Sequence, residues 1–153
     1  MKFVETLKPR MIIQIEDKKF KIIERIWWKM LKADDHYYKF VLEDEGGSQN
    51  YRLAFDDSVN KFIFVEIFEN NILEPFPKEV VWQGKKFKFT YNEECIVENV
   101  LGKQIYKIGD KEVFSDYESD DGSYMSLGRN LGNNEREDLI GRWVEIDEIK
   151  VID

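Results

Sequence analysis

At 153 residues, with 42% hydrophobic and 14% aromatic side chains, the chain holds enough apolar matter to bury a core, which excludes a disordered polymer. Its 31 acidic against 23 basic residues leave a formal charge of -8, and a surface of that sign repels phosphate backbones, so no nucleic-acid partner is expected. The acid is concentrated late: residues 1–76 hold 12 basic and 14 acidic side chains, residues 77–153 hold 11 and 17.

In chain order, the opening Met-Lys-Phe-Val-Glu-Thr-Leu-Lys-Pro-Arg has no apolar run of signal-peptide length, and no later window reaches the length of a membrane span. The expectation is a soluble, cytoplasmic protein without direct membrane insertion. Met11 to Ile15 and Phe20 to Met30 read as strands joined by the polar link Glu16-Asp17-Lys18-Lys19. The second of these also fits a helical face through Ile22, Ile23, Ile26, Trp27 and Met30, but its neighbours favour β structure. A turn over Lys32 to His36 leads into strands Tyr37 to Glu43, Tyr51 to Phe55 and Lys61 to Phe68. Asn70 to Lys78, with Asn-Asn and Pro-Phe-Pro, reads as a linker because proline removes a backbone donor and fixes φ.

Beyond it the pattern restarts. Val80 to Trp82, a Gln83-Gly84-Lys85 turn and Phe87 to Tyr91 resemble the opening hairpin, followed by a strand from Cys95 to Val100 and a looser stretch from Leu101 to Lys111. Glu112 to Tyr117 and Ser123 to Leu127 flank Ser-Asp-Asp-Gly, a strong hairpin signal that predicts a two-residue turn of the primed type with positive φ at Asp121 and Gly122. The loop Gly132 to Glu135 leaves room for a single helical turn over Asn134 to Leu139, and strands Leu139 to Ile146 and Ile149 to Ile152 end the chain. No long helix is predicted.

Three anchors recur in order: Lys18-Lys19-Phe20-Lys21 with Lys85-Lys86-Phe87-Lys88, Gly47-Ser48 with Gly122-Ser123, and Phe64-Val65-Glu66-Ile67 with Trp143-Val144-Glu145-Ile146. The second set is longer by 8 and then 4 residues, at the Leu101 to Lys111 stretch and the Gly132 to Arg136 loop, where insertion is tolerated. The expected fold is therefore all-β: two tandem, similar antiparallel modules, partly closed barrels or curled sheets, packed together. The division is 1–69, a linker 70–78, and 79–153, with Gly47, Asp121 and Gly122 as structural turn residues.

Trp82-Gln83-Gly84-Lys85-Lys86-Phe87, Cys95-Ile96-Val97, Phe114 to Leu127 and Gly141-Arg142-Trp143-Val144 resemble the prokaryotic domain-of-unknown-function family 4178, strongly over residues 80–152 and weakly before. The resemblance implies a bacterial protein and at most a supporting role beside membrane-stress systems, and it brings no catalytic or binding residues.

Chemistry-bearing patterns are sparse. Asp116, Glu118, Asp120 and Asp121 suggest calcium, but a loop starting at Asp116 places Asp121 where glycine is needed and Leu127 where glutamate is needed. Asp34-Asp35-His36 holds the lone histidine, and Cys95, the lone cysteine, sits in an apolar strand pattern without signs of a lowered thiol pKa, so neither reads as a site even if paired in space. Glu118 and Glu145 would make a glycosidase-type pair only if they shared a cleft. Catalytic residues, metal and cofactor are thus expected to be none. What remains is aromatic: Trp27 and Trp28 are adjacent and so face opposite sides of a strand, and with Tyr37, Tyr117 and Tyr124 they form the candidate binding surface. The first reading is a non-enzymatic protein-interaction module with an unidentified protein partner. A small-ligand or carbohydrate-binding β protein is second and a hydrolase using strand carboxylates third, and a deep apolar pocket with a few inward polar groups would favour the second.

Overall fold

Alternation of period two runs through most of the chain, and nearly every such stretch becomes a strand. The computed structural model describes residues 1–152. Among these, a short helix, α1 (Phe3–Thr6), precedes eleven strands. They are β1 (Ile12–Ile15), β2 (Lys18–Met30), β3 (Asp35–Asp44), β4 (Tyr51–Asp56), β5 (Lys61–Ile67), β6 (Glu79–Trp82), β7 (Lys85–Gly102), β8 (Lys111–Glu118), β9 (Ser123–Asn130), β10 (Arg136–Val144) and β11 (Ile149–Val151). The spatial order is β11-β1-β2-β3-β4-β5-β10-β9-β8-β7-β6, antiparallel throughout, and β2 pairs with β7 as well. That extra pairing closes the strands from β2 to β5 and from β7 to β10 into an eight-stranded barrel, leaving β1, β11 and β6 outside the ring.

Both expected runs of strands enter this one barrel. They are joined by hydrogen bonds along β2–β7, from Glu24↔Gly102 to Met30↔Cys95, and along β5–β10, from Phe62↔Val144 to Ile67↔Leu139. Residues 68–78, which include the expected linker 70–78, run over the outside as a strap, tied down by Phe68, Ile72 and Phe76 and by Tyr117, whose hydroxyl donates to the Pro77 carbonyl at 2.6 Å.

Of three register shifts in the long strands, one lies in the β2–β7 seam between Trp27 and Trp28, and the other two switch the buried face near the start of each strand. An extra residue between Ile22 and Glu24 moves the even-numbered side chains of β2 from the outer cluster, where Phe20 and Ile22 lie, to the barrel interior, where Ile26 and Trp28 lie. A bulge between Phe89 and Tyr91 does the same in β7, with Phe87 outside and Cys95 and Val97 inside. The outer apolar face is covered twice. Val4 and Leu7 around α1, with Ile13, Ile15 and Ile149, lie over Phe40, Leu42, Leu53 and Phe62, while β6 and the strap cover Tyr117, Met125 and Leu127. Each buried aliphatic or aromatic side chain contributes about 1.5–3 kcal/mol, so these covers hold much of the fold's stability.

Several boundaries differ from the sequence expectation. Phe87 to Tyr91 and Cys95 to Val100 are one continuous strand, because Glu93, which reads as part of a charged break, is buried and satisfied. Its carboxylate accepts the backbone N–H groups of Lys32 at 2.7 Å, Ala33 at 3.0 Å and Glu94 at 2.9 Å, together with the Tyr91 hydroxyl. The Ser119 to Ser123 turn is not of the two-residue primed type. Ser119 N–H donates to the Ser123 carbonyl at 3.0 Å, three residues lie between, and only Gly122 has positive φ (+85°), Asp121 staying in ordinary backbone space. Arg136 onward is strand rather than a helical turn, since the Asp138 carboxylate accepts both the Gly128 N–H and the Arg136 guanidinium. Ile146 belongs to a short 3-10 turn, Ile146–Glu148, instead of a strand. Among the described residues no helix is long and apolar enough to cross a membrane.

Candidate functional site

In a closed barrel the two faces of each strand become a lumen and an outer wall. Here the more polar face turns inward. Met30 of β2, Lys39 of β3, Arg52 of β4, Val65 of β5, Thr90 and Tyr91 of β7, Asp116 of β8, Ser126 of β9 and Glu137 of β10 all line one cavity of about 490 Å³, so every barrel strand contributes. That volume is in the range of small-molecule sites. The turns β2–β3 and β4–β5 supply Ala33, Asp57 and Ser58 to the same cavity and form its mouth.

The opposite end is closed by the β7–β8 loop. The Glu24 carboxylate, fully buried after the β2 bulge, accepts the backbone N–H groups of Ile105 and, at 2.9 Å, Tyr106. This pins Tyr106 into the barrel, edge-on to Trp28 with ring centroids 5.6 Å apart. The Tyr106 hydroxyl donates to Glu137 Oε2 at 2.6 Å and accepts from Arg52 Nε at 3.2 Å. Arg52 Nε also meets Glu137 Oε1 at 3.2 Å, and Lys39 Nζ stands 3.6 Å from the same oxygen. Burial alone would raise the Glu137 carboxyl, but Lys39 and Arg52 outweigh it and hold it below its usual range. Burial likewise opposes the Lys39 charge, and the Tyr106 oxygen with Glu137 and Glu112 reverses the effect, keeping the ammonium charged. The Trp28 indole N–H, wholly buried beside this group, meets no acceptor among the described residues.

Two further carboxyls line the wall from β8, Glu112 and Asp116, each 8% exposed. Among the described residues neither forms a salt bridge. Burial raises both. Asp116 is pushed up to about 7 with Tyr124 and Ser126 opposing, and Glu112 is raised by burial with Lys39 opposing. Ile63, Val65, Phe114, Leu139, Tyr124 and Trp143 make the apolar part of the wall.

Of the five aromatics singled out in the sequence, Tyr37 and Tyr124 line the cavity and Trp28 lies in the interior behind it. Tyr117 is on the outer wall, fully buried under the strap. Trp27 is also outside, stacked on His36 with ring centroids 5.0 Å apart and against Tyr38 at 4.3 Å. It borders a shallow second hollow of about 200 Å³ with Arg25, Tyr38, Asn99 and Leu101. Gly47 and Gly122 sit in the β3–β4 and β8–β9 turns. Asp121 is held there by Lys85 at 2.8 Å and by the Ser123 N–H at 3.0 Å, and Lys85 foremost keeps its carboxyl below the ordinary range.

Other groups weighed in the sequence are not brought together. His36 Nε2 lies 2.6 Å from Glu98 on the outside, whereas Cys95 is buried in the interior with its thiol pushed up to about 12 by burial. Glu118 accepts from Trp143 Nε1 at 2.9 Å at the cavity wall, while Glu145 pairs with Lys61 outside at 3.2 Å. Among the described residues no group of three or more His, Cys, Asp or Glu side chains is placed to hold a metal ion. Lys39, Arg52, Glu112, Asp116 and Glu137 escape sequence reasoning as a set, because a charged residue alternating with apolar ones reads as solvent-facing.

The geometry defines an eight-stranded antiparallel barrel with a cup-shaped lumen, floored by an ionic cluster and open at one end. Comparison with protein-family models, with curated proteins and with solved structures finds no match for this chain.

Proposed function

We propose that the chain is a small-ligand-binding barrel that holds its ligand in the lumen. The observation that carries this is the cavity of about 490 Å³, walled by apolar side chains and carrying inward polar groups on β3, β8 and β10. The ionic floor supports the same reading: burying Lys39, Arg52 and Glu137 costs free energy that a solid apolar core would avoid. The interior thiol of Cys95 is pushed up to about 12 by burial and so held protonated near neutral pH, which takes it out of nucleophilic chemistry.

The test is a thermal-shift screen of small molecules on the parent and on Ser126→Trp, whose indole would fill the cup. Ligands should raise the melting temperature of the parent alone, since a compound that binds only the folded state stabilises it by mass action. Equal stabilisation of both proteins would place binding elsewhere and overturn the reading.

A second reading, docking of a protein partner, has its own support in the outer hollow where Trp27, Tyr38 and the half-exposed Leu101 lie together. We also infer that the two halves are copies of one unit, with the motifs resembling family 4178 marking the second copy. In support, β2 and β7 both begin at Lys-Lys-Phe-Lys, both carry a face-switching bulge, and they pair with each other antiparallel, as β5 and β10 do.

A further inference from the structure

We propose that the lumen takes an organic cation, an ammonium group on an apolar body, with its charge set against Asp116; this rests on the small-ligand reading and names its ligand class. The charges of the lumen do not balance. Its two cations, Lys39 and Arg52, form their salt bridges with one carboxylate, Glu137, at 3.6 Å and 3.2 Å, and Lys39 acts on Glu112 and Asp116 only from farther off. That leaves Glu112 and Asp116, each 8% exposed and facing the cavity, without a salt bridge, and Glu112 without any hydrogen bond among the described residues. A buried carboxylate without a salt-bridge partner is costly, and an entering cation is the group that removes the cost.

Three features of the approach agree. The mouth is acidic, lined by Asp35, Asp56, Asp57 and Glu118, of which Asp57 alone meets a cation, Lys2, among the described residues, and a cleft of one sign draws in ligands of the other. Next to Asp116 the wall is aromatic, with Tyr124 and Trp143 packed edge to face at 5.6 Å, and such faces attract ammonium groups. Ile63, Val65, Phe114 and Leu139 offer the body of the ligand an apolar bed. An anion would cross the acidic mouth only to find Lys39 already flanked by Glu137, and a neutral polyol would bring no charge to Asp116, whose carboxyl already has the Tyr124 and Ser126 hydroxyls.

The probes are hexylammonium, hexanol and hexanoate, which share one alkyl chain and differ in charge, titrated calorimetrically at mildly alkaline pH into the parent, Asp116→Asn and Ser126→Trp. Hexylammonium should bind the parent at least about tenfold more tightly than hexanol, with hexanoate weakest. Asp116→Asn should lose that preference for amine over alcohol, and its unchanged near-ultraviolet circular dichroism would show that it folds. Hexanol or hexanoate binding the parent as tightly as the amine, and lost in Ser126→Trp, would overturn the cation assignment while the lumen reading stands. An Asp116→Asn protein that keeps the preference would overturn the placement. No binding by any of the three overturns the cation assignment, and the small-molecule screen then judges the lumen reading on its own.

Discussion

Gly47 and Gly122 hold the same place in the same kind of turn, one in each half of the barrel. Gly47 donates its N–H to the Asp44 carbonyl and Gly122 to the Ser119 carbonyl, both at 3.1 Å, at φ of +90° and +85°. In each case the residue after the glycine returns the chain to the ladder, Ser48 accepting from Asp44 N–H at 2.9 Å and Ser123 from Ser119 N–H at 3.0 Å. The space around both glycines is open, so what they supply is backbone freedom alone.

Valine at either position therefore meets strain without a clash. Gly122→Val and Gly47→Val are each expected to lose about 1–3 kcal/mol in denaturant unfolding. Gly122→Asn should lose less, because asparagine tolerates the left-handed region, and Asp120→Asn should hardly move the midpoint. An asparagine at 120 that proves more damaging than valine at 122 would show the turn to be a binding site.

Gly141 presents the opposite case, with ordinary φ and no room. A Cβ there would overlap the Phe64 carbonyl oxygen and stand 2.7 Å from Val65 Cα, in the seam that joins β10 to β5. Gly141→Ala is expected to cost about 1–3 kcal/mol or more, the scale of overpacking, since backbone cannot step aside as a side chain can. Chemical denaturation against the parent measures it, and an unchanged midpoint would contradict the tight seam.

The lumen carboxyls set a pH dependence of definite sign. Asp116 keeps its proton to about pH 7 when folded, and Glu112 is raised in the same direction, whereas an unfolded chain releases such protons near pH ~4. Between those values the folded state binds more protons than the unfolded, so stability falls as pH rises through the window and the loss is complete above the folded value. The melting temperature should decline between about pH 5 and pH 8, and Asp116→Asn should flatten the decline and melt higher than the parent at the alkaline end. A parent curve that rises across this window would show that the wall carboxyls titrate as if exposed.

Tyr106 closes the floor, and its ring and hydroxyl separate by mutation. Tyr106→Phe keeps the packing against Trp28 but withdraws the donor from Glu137 and the acceptor from Arg52, for roughly 1–2 kcal/mol. Tyr106→Ala removes the plug as well and should cost about 3–5 kcal/mol, with faster amide exchange at Ile105 and Tyr106, whose N–H groups are held by Glu24. Equal losses in the two variants would mean that the ring contributes nothing to the closure.

Most strands were legible because alternation and turn chemistry agree: Asp-Asp-Gly between β8 and β9, Glu-Gly-Gly between β3 and β4, and the prolines of the strap each stand where pattern alone puts a break. The barrel and its lumen were not. Alternation tells that Lys39 and Phe40 face opposite ways, but the sheet's curvature decides which is concave, and curvature depends on β2 meeting β7 across more than 60 residues. The bulges in β2 and β7 add to the difficulty, since each swaps the faces in mid-strand without a glycine or proline to mark it. Glu93 misled for a related reason: a charged residue reads as a turn, and its burial rests on N–H donors from a distant hairpin.

The seam between β2 and β7 has a consequence for the order in which the chain acquires its shape. Residues 12–67 can zip together as local hairpins as soon as they are made, but the outer edge of β2 from Glu24 to Met30 and that of β5 stay raw until β7 and β10 arrive. Closing the ring brings together segments distant along the chain, a slow event by the standards of hairpin formation. In the interval the nascent first half exposes two unpaired strand edges, both open to a second copy of itself. The antiparallel pairing that completes the native ring is thus also the kind of contact by which two unfinished chains would recognise each other.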